Sequence, residues 1–545
     1  MNIPATNKAL TFFKMSGTFI ICLLISFLNQ SPAQAQSEQN VIIYADSTAQ
    51  IIRGFGAANI VGWWPDMTPG DVENAFGMED GQLGMSILRI RISPDENQWG
   101  DNLPTAQMAY DMGVKVIASP WSPPAEMKTN NELIGGSLRP DAYADYADHL
   151  NRFADFMEEN GVPLYGISIQ NEPDIQVSYE SCDWTPEEMI TFLRDHGDSI
   201  GPRIIAPESF QFLREMSDPI LNDSLAAAQV DILGGHIYGG GNFRYPLAEQ
   251  KGKEIWMTEY LLNLGTGNTG ADPWSSYSEE EVWDETLTML SSMQRSMRNN
   301  WNAYIWWYLQ RYYSFIGDGD EGTENGEILK RGYAFAHFSR FVRPGYHRVH
   351  ASVPFDVGFT QFSATAYKDM DSSQLVVIAV NGENSDREYT FTFQDSAPSQ
   401  IRQFQTSLTQ NLEQLENPDL DPDGRSFTAT IPARSVTTFV GDEVQAVSNK
   451  IDENRNRPNS VQLRQNYPNP FNPSTTIHYR LTEAGNITLK VFDMTGREVA
   501  TLTNGIQTAG DHRISFDATN LSSGIYIYRL QAGDRVLTRK MTLIK

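Results

Sequence analysis

Between residues 50 and 309 the chain alternates short apolar runs with longer amphipathic stretches. The strand-like runs are QIIRGFG (50–56), SILRIRIS (86–93), VKVIASPW (114–121), LYGISIQNE (164–172), RIIAPES (203–209), VDILGGHIY (230–238), EIWMTEY (254–260) and NAYIWWYL (302–309). β-Branched and aromatic residues dominate them, and Gly or Pro punctuates them. The segment 141–161 instead spaces Tyr143, Tyr146, Leu150, Phe153 and Phe156 three and four apart and stops on Gly161. That spacing predicts an amphipathic helix, and 278–297 repeats it. Eight strands alternating with helices over roughly 250 residues predict an α/β fold, a (β/α)8 barrel across 51–341. An open doubly wound sheet is the alternative, but no glycine-rich phosphate fingerprint follows the first strand.

Past residue 342 the period changes to two. FSATAYKD (362–369), QLVVIAVNG (374–382), REYTFTFQD (387–395), IRQFQTSL (401–408) and SFTATIPARSVTTFVGD (426–442) read as strands of a β-sandwich over 342–442. Residues 443–458 are polar and read as a linker, and 459–545 as a further all-strand unit. At the start, Lys8 and Lys14 precede an apolar run at 18–28 and the small residues Ala33 and Ala35. This is the layout of a signal peptide over 1–35, and the run is too short to span a bilayer. No other stretch approaches a membrane span.

Composition narrows the function. The formal net charge is -27, which argues against nucleic acid as a partner, since a phosphate backbone demands basic patches. Aromatic residues make up 11% of the chain, enough to supply flat faces for ligands as well as a core. Cys22 lies in the predicted signal peptide, so the mature chain keeps Cys182 alone. An intrachain disulfide and a cysteine-based metal site are therefore not expected, and no cofactor is implied.

The candidate chemistry lies at strand ends. The C-terminal ends of barrel strands converge on one mouth. Glu172 follows the fourth strand in IQNEPD, and Glu259 ends the seventh in WMTEY. Two facing carboxyl groups suit glycoside hydrolysis, one donating a proton and the other attacking or activating water. Asn171 is placed to bind a sugar hydroxyl beside the reacting carbon. Tyr238 and His236 end the sixth strand near Glu259, and Arg91 could support Glu259 by charge. Trp121, Trp306 and Trp307 offer flat faces, although alternation along the strand puts one of the last two in the core. A structural role in the barrel floor remains open for Arg89.

These residues resemble glycoside hydrolase family 30. The resemblance rests on GFGAAN (54–59), SPWSPPAEMKTNN (119–131), ISIQNEPD (167–174), YESCDWTPEE (179–188), HIYGG (236–240), WMTEY (256–260), WNAYIWWYLQRYY (301–313) and RGYAFAHFSRFVRPGYHRV (331–349). It implies a barrel with an attached sandwich into which an N-terminal strand, residues 36–50, is built. It also implies a retaining reaction with Glu172 as acid/base and Glu259 as nucleophile, their carboxyls about 5–5.5 Å apart. Within the family the chain looks most like the bacterial glucuronoxylan endo-1,4-β-xylanases, which cut xylan beside a 4-O-methylglucuronic acid branch. Arg311 matches the arginine that grips that branch, and Trp307 and Tyr313 match its flanking contacts. A guanidinium can hold a carboxylate through two parallel hydrogen bonds. The sequence departs from this pattern after Glu259, where Leu261 and Leu264 replace a tyrosine and a serine. A xylanase of relaxed specificity, another family 30 β-glycosidase, and an inactive carbohydrate-binding protein are the alternatives.

The last unit carries a second resemblance. LRQNYPNPFNPSTTIHYRL (463–481), VFDMTGREVATL (491–502), GIYIYRLQAG (524–533) and RKMTLIK (539–545) look like the C-terminal sorting domain of type nine secretion. It implies export to the cell surface or medium, with the secretion machinery and a xylan polysaccharide as partners.

Overall fold

The computed structural model describes residues 39–262, 273–353, 361–369, 374–446, 461–466, 468–481, 485–508, 510–533 and 535–545. The predicted signal peptide, Leu264 and most of the predicted linker lie outside these. The chain forms two compact units, divided after Val447.

In the first unit, strand β1 (Asn40–Ile51) precedes a closed barrel of eight strands. These are β2 (Gly54–Ala58), β3 (Ile87–Ile92), β4 (Lys115–Pro120), β5 (Gly166–Ser168), β6 (Arg203–Ser209), β7 (Val230–His236), β8 (Glu254–Glu259) and β9 (Ala303–Trp306). Each pairs in parallel with the next, and β2 pairs with β9 to close the ring. Ile87, Ile117, Ile205, Ile232, Trp256, Ala303 and Ile305 fill the interior as one buried cluster, so the barrel is a packed core with its chemistry confined to one end. Gly56 lets β2 and β3 approach: a Cβ there would sit 1.9 Å from the Ile87 carbonyl oxygen.

The surrounding helices follow their apolar stripes. In the helix Tyr143–Glu159, Tyr143, Tyr146, Leu150 and Phe153 are buried. Met157 takes the next inward place, and Phe156 is half-buried. Reciprocal capping boxes start three helices, at Thr68 with Asp71, Thr185 with Glu188 and Ser278 with Glu281. Each satisfies otherwise orphaned N–H groups at the helix start.

The predicted run 50–56 divides between two layers. Its first residues end β1, which leaves the barrel to pair with β10 (His347–Ser352). Along the chain there follow β11 (Phe362–Lys368), β12 (Gln374–Asn381), β13 (Arg387–Phe393), the two-residue β14 (Ser396–Ala397), which stands outside the large sheet, β15 (Gln400–Thr406), β16 (Glu413–Leu415), β17 (Ser426–Ile431) and β18 (Ser435–Asp442). Nine of these strands hydrogen-bond in the order β16-β15-β18-β12-β11-β10-β1-β13-β17. β1 joins β13 in parallel and β10 antiparallel, which stitches the start of the chain into the sheet. Rings from distant places in that order meet: Phe427 of β17 and Phe439 of β18 lie 4.9 Å apart, as do Phe391 of β13 and Phe439. The sandwich is thus one continuous sheet curled over its own core. Strand β12 is buried on both faces. Leu375, Val377 and Ala379 point into that core, and Val376, Ile378 and Val380 pack on the barrel's helices.

The second unit pairs a three-stranded sheet with a four-stranded one around Ile477, Leu489, Val491, Tyr528 and Leu530. Its strand Glu498–Gln507 was not predicted by alternation, because among its side chains no clean inside-outside pattern exists.

Substituting Phe427 by Ala removes a ring in contact with Phe391, Phe393 and Phe439. The expected loss is about 3–5 kcal/mol, read as a lowered urea midpoint of the full chain. An unchanged midpoint would show that this ring cluster does not hold the sheet closed.

Candidate active site

The segment after β5 is held from both sides. The Asn171 N–H donates to the Pro120 carbonyl at 2.9 Å, and Gln170 Nε2 donates to the Trp121 carbonyl at 2.7 Å. On the other flank the Glu172 N–H donates to the Glu208 carbonyl at 3.1 Å. Glu172 has φ 47 and Glu208 has φ 60, a left-handed conformation uncommon for side-chain-bearing residues. Pro173 adds to this, since the residue before a proline is disfavoured in the right-handed helical region. The outcome is a turn that presents Glu172 into the mouth four residues beyond a three-residue strand.

Arg89 organises the centre. Its side chain is fully buried, with Nη1 donating to Glu259 Oε2 at 2.6 Å and Nη2 to Asn171 Oδ1 at 2.6 Å. Nη2 also lies 3.1 Å from Glu208 Oε1, and Nε donates to Ser119 at 3.2 Å. The floor role left open for Arg89 is replaced by direct contact with the seventh-strand carboxylate. Arg91 does not reach Glu259. It forms a close pair with Glu180, Nη2 to Oε1 at 2.6 Å and Nε to Oε2 at 3.0 Å. One step of two along a strand carries a side chain about 6–7 Å toward the rim, and that distance separates the two roles.

The other predicted residues divide between contact and support. Tyr238 donates its hydroxyl to Glu259 Oε1 at 3.0 Å. His236 meets the other carboxyl, with Nδ1 2.8 Å from Glu172 Oε1. Asn171 spends its carbonyl on Arg89, and among the described residues its Nδ2 makes no hydrogen bond. Trp121 is 2% exposed and lies under the Arg89 guanidinium at 4.7 Å, so it is not an open platform for sugar. Trp306 is buried, while Trp307 is half-buried against Trp121 and Trp63. Tyr313 is also buried, under Arg311. Arg311 stacks 3.7 Å over Trp64, with Nε 2.8 Å from Asp318 Oδ2. Its terminal amines are unpaired among the described residues. Leu261 is buried.

Sequence reasoning missed Tyr179, Glu208, Trp63 and Trp64. Tyr179 donates to Glu172 Oε2 at 2.8 Å. Its neighbour Glu180 is the residue clamped by Arg91, so that pair fixes the loop carrying Tyr179. The doublet Trp63-Trp64 just after the first barrel strand, and a glutamate at the end of the fifth, were the available signals.

Electrostatics follow from burial of many charges together. Burial raises the Glu259 carboxyl, opposed by the His236 and Arg89 charges. Burial would by itself lower His236, but Glu259, Glu172 and Glu208 outweigh it and lift the ring to about 9. Burial would raise Glu208, yet Arg89 and His236 bring it down to about 2. Burial and the Glu259 charge push the Tyr238 phenol well up, so it serves as a donor. Two cations thus face three carboxyl groups, and one acid proton among the three makes the cluster neutral. A buried cluster favours neutrality, since each uncompensated charge is costly there.

Glu172, His236 and Glu259 place one donor atom each within 4.8 Å of the others. Their atoms already meet other groups of the site: Glu172 faces Tyr179 and His236, and Glu259 faces Arg89 and Tyr238. The arrangement suits proton transfer.

A parallel barrel with two differently partnered carboxyl groups in its mouth has the equipment of a glycoside hydrolase. Comparison with known proteins agrees. Residues 74–310 match the glycosyl hydrolase family 30 TIM-barrel domain. The glucuronoxylanase XynC of Bacillus subtilis (strain 168) is 39% identical over 447 residues, covering 80% of this chain and 99% of the relative. The family 30 subfamily 8 xylanase Xyn30A of Clostridium acetobutylicum superposes with a TM-score of 0.64 at 34% identity, over 74% of this chain and 99% of that one. A family 30 endoxylanase from Clostridium papyrosolvens C71 gives 0.63 at 35% identity, over 74% and 100%. The chain belongs to glycosyl hydrolase family 30. Residues 465–545 match the secretion system C-terminal sorting domain, so the chain carries a type nine export signal. Among the described residues no helix is long and apolar enough to cross a membrane.

Replacing Arg89 by Lys leaves one ammonium where four partners need a planar fork. The expected loss is about 10²-fold or more in kcat/KM, measured as reducing ends released from polysaccharide. Arg91→Lys should cost about tenfold or less. Equal losses would contradict the division of labour between the two arginines.

Proposed function

We propose that this protein is an exported endo-acting xylanase that cleaves β-1,4-xylan with retention of configuration, by double displacement. The observation that carries the reading is the approach of Glu172 and Glu259 oxygens within 4.8 Å. So close an approach of the nearest oxygens supports the short carboxyl separation of retaining enzymes, roughly 5–5.5 Å, over the roughly 6.5–9.5 Å that leaves room for an intervening water. Glu259, braced by Arg89 and Tyr238, is the nucleophile. Glu172, which faces His236 and Tyr179, donates its proton to the departing oxygen and then takes one from water. Asn171 uses its free Nδ2 on a hydroxyl of the reacting sugar. The names of the Bacillus and Clostridium relatives support xylan as the polymer.

The preferred target is xylan bearing 4-O-methylglucuronic acid. Arg311 holds Asp318 through Nε and keeps two amines for a branch carboxylate, while Trp64 shields one face of the guanidinium. Its side chain is 20% exposed, open enough for a ligand to reach. Leu261, buried and apolar, favours a second reading in which branch binding is weaker and cutting less strict. The sorting domain engages the secretion machinery and delivers the enzyme to the cell surface or medium.

Glu259→Gln should lower xylan hydrolysis about 10⁴-fold or more, with the fold intact by circular dichroism. Retained activity would remove Glu259 from the nucleophile role. Products from methylglucuronoxylan and from unsubstituted xylan separate the specificity readings. Acidic oligosaccharides from the first, with little action on the second, support branch recognition by Arg311. Equal cutting of both supports the relaxed enzyme.

A further inference from the structure

Glu208 is a third carboxylate at the centre of the site, and neither the sequence reading nor the family comparison gives it a task. It ends β6, is fully buried, and sits between the two cations of the cluster. Its Oε1 lies 3.1 Å from Arg89 Nη2 and 3.8 Å from His236 Nε2. Neither oxygen makes an aligned hydrogen bond among the described residues, so its contribution there is charge. The imidazole of His236 therefore stands between two carboxyls, Glu172 at Nδ1 and Glu208 beyond Nε2. The backbone reinforces the link, because the Glu208 carbonyl accepts the Glu172 N–H and the Phe210 N–H donates to Asp174 Oδ1 at 2.9 Å.

We propose that Glu208 is a positioning residue that sets the working pH of the reaction, acting on Glu172 through His236 and on Glu259 through Arg89. The inference rests on the roles proposed above for those two glutamates. Buried and unreachable by substrate, Glu208 touches no reacting atom. Its fixed negative charge keeps the imidazole protonated and the guanidinium oriented, so the proton in play stays with the Glu172 and Glu259 pair. The groups facing His236 and Arg89 are Glu172, Tyr179 and Asp174 from the loop after β5, Glu208 from β6, Tyr238 from the end of β7, and Glu259 from β8. Of these only Glu208 contacts both cations yet lies outside the carboxyl pair assigned to the chemistry. The lift of His236 to about 9 and the fall of Glu208 to about 2 agree with this charge arrangement.

The sign of the effect is fixed. Removing a buried negative charge makes every nearby group release its proton more readily. In Glu208→Gln the acidic limb, set by ionisation of Glu259, and the alkaline limb, set by proton loss from His236, should both move to lower pH. A charge at this range shifts a neighbour by about one unit or more. The measurement is kcat/KM against pH for wild type, Glu208→Gln and Glu208→Asp, on whichever polysaccharide the enzyme cuts. The aspartate variant, which keeps the charge on a shorter stem, should lose rate but hold both limbs near the wild-type positions. Unmoved limbs in a folded glutamine variant, or equal shifts in both variants, would overturn the proposal.

Should the glutamine variant not fold, histidine-selective labelling of the wild type and the aspartate variant decides by NMR. A His236 ring still protonated at pH 8 supports the charge role, and a neutral ring at pH 7 overturns it. This readout needs no turnover. An enzyme inactive on xylan would therefore refute the proposed substrate without touching the role of Glu208.

Discussion

A single guanidinium in the barrel interior holds the site together. Arg89 is fully buried, and a lone cation there is tolerable only with close counter-charges. Glu259 and Glu208 provide them, at 2.6 and 3.1 Å. Asn171 and Ser119 take further donors. Those partners come from β8, β6, the loop after β5 and β4, so satisfying one residue of β3 sets the mutual placement of most of the mouth. The rigidity catalysis needs is thus a by-product of the electrostatic demand of burial. Charges this deep are also screened little by salt, so their mutual influence persists under physiological conditions.

Strain is spent in the same place. Glu172 and Glu208 both take left-handed backbone conformations, and a hydrogen bond joins them. Such conformations persist where the surroundings over-determine them. Here Pro120, Trp121 and Glu208 supply the backbone contacts that do so, while Tyr146 anchors the Ile169 carbonyl at 2.8 Å. The second rim feature, Arg91 with Glu180, has a different purpose. It ties down the loop that brings Tyr179 to Glu172, and its partial exposure suits a clamp rather than a catalytic counter-ion.

Much of the fold was legible in the chain. All eight barrel strands were visible as apolar runs, and the change to period two marked the sheet beyond the barrel. QLVVIAVN is an unbroken apolar run rather than an alternating one, the pattern of a strand covered on both faces. The period-two reading passed over it, and the structure covers one face with its own sheet's core and the other with barrel helices. The run 50–56 looked like one strand because apolarity does not register which layer a residue joins. In the site, the strand-end glutamates were readable because topology alone sends them to one mouth. Arg89 and Arg91 were not separable, since equal parity gives them the same face and only depth in the barrel distinguishes them. Glu208 looked like an ordinary end to RIIAPES, because nothing local reveals that two cations from other strands converge on it.

The sequence by itself determined the barrel, the strand-built units that follow it in the chain, and the meeting of Glu172 and Glu259 at one mouth, because periodicity and strand order are local properties. The tertiary structure alone decided which arginine braces Glu259, that His236 belongs with Glu172, that Trp121 is packing rather than platform, and that a third carboxylate completes the charge balance. The physical reason is range. Side-chain periodicity is set by neighbours along the chain, whereas electrostatic partnership depends on distances of about 3–4 Å between residues far apart in sequence, which exist only once the barrel has closed.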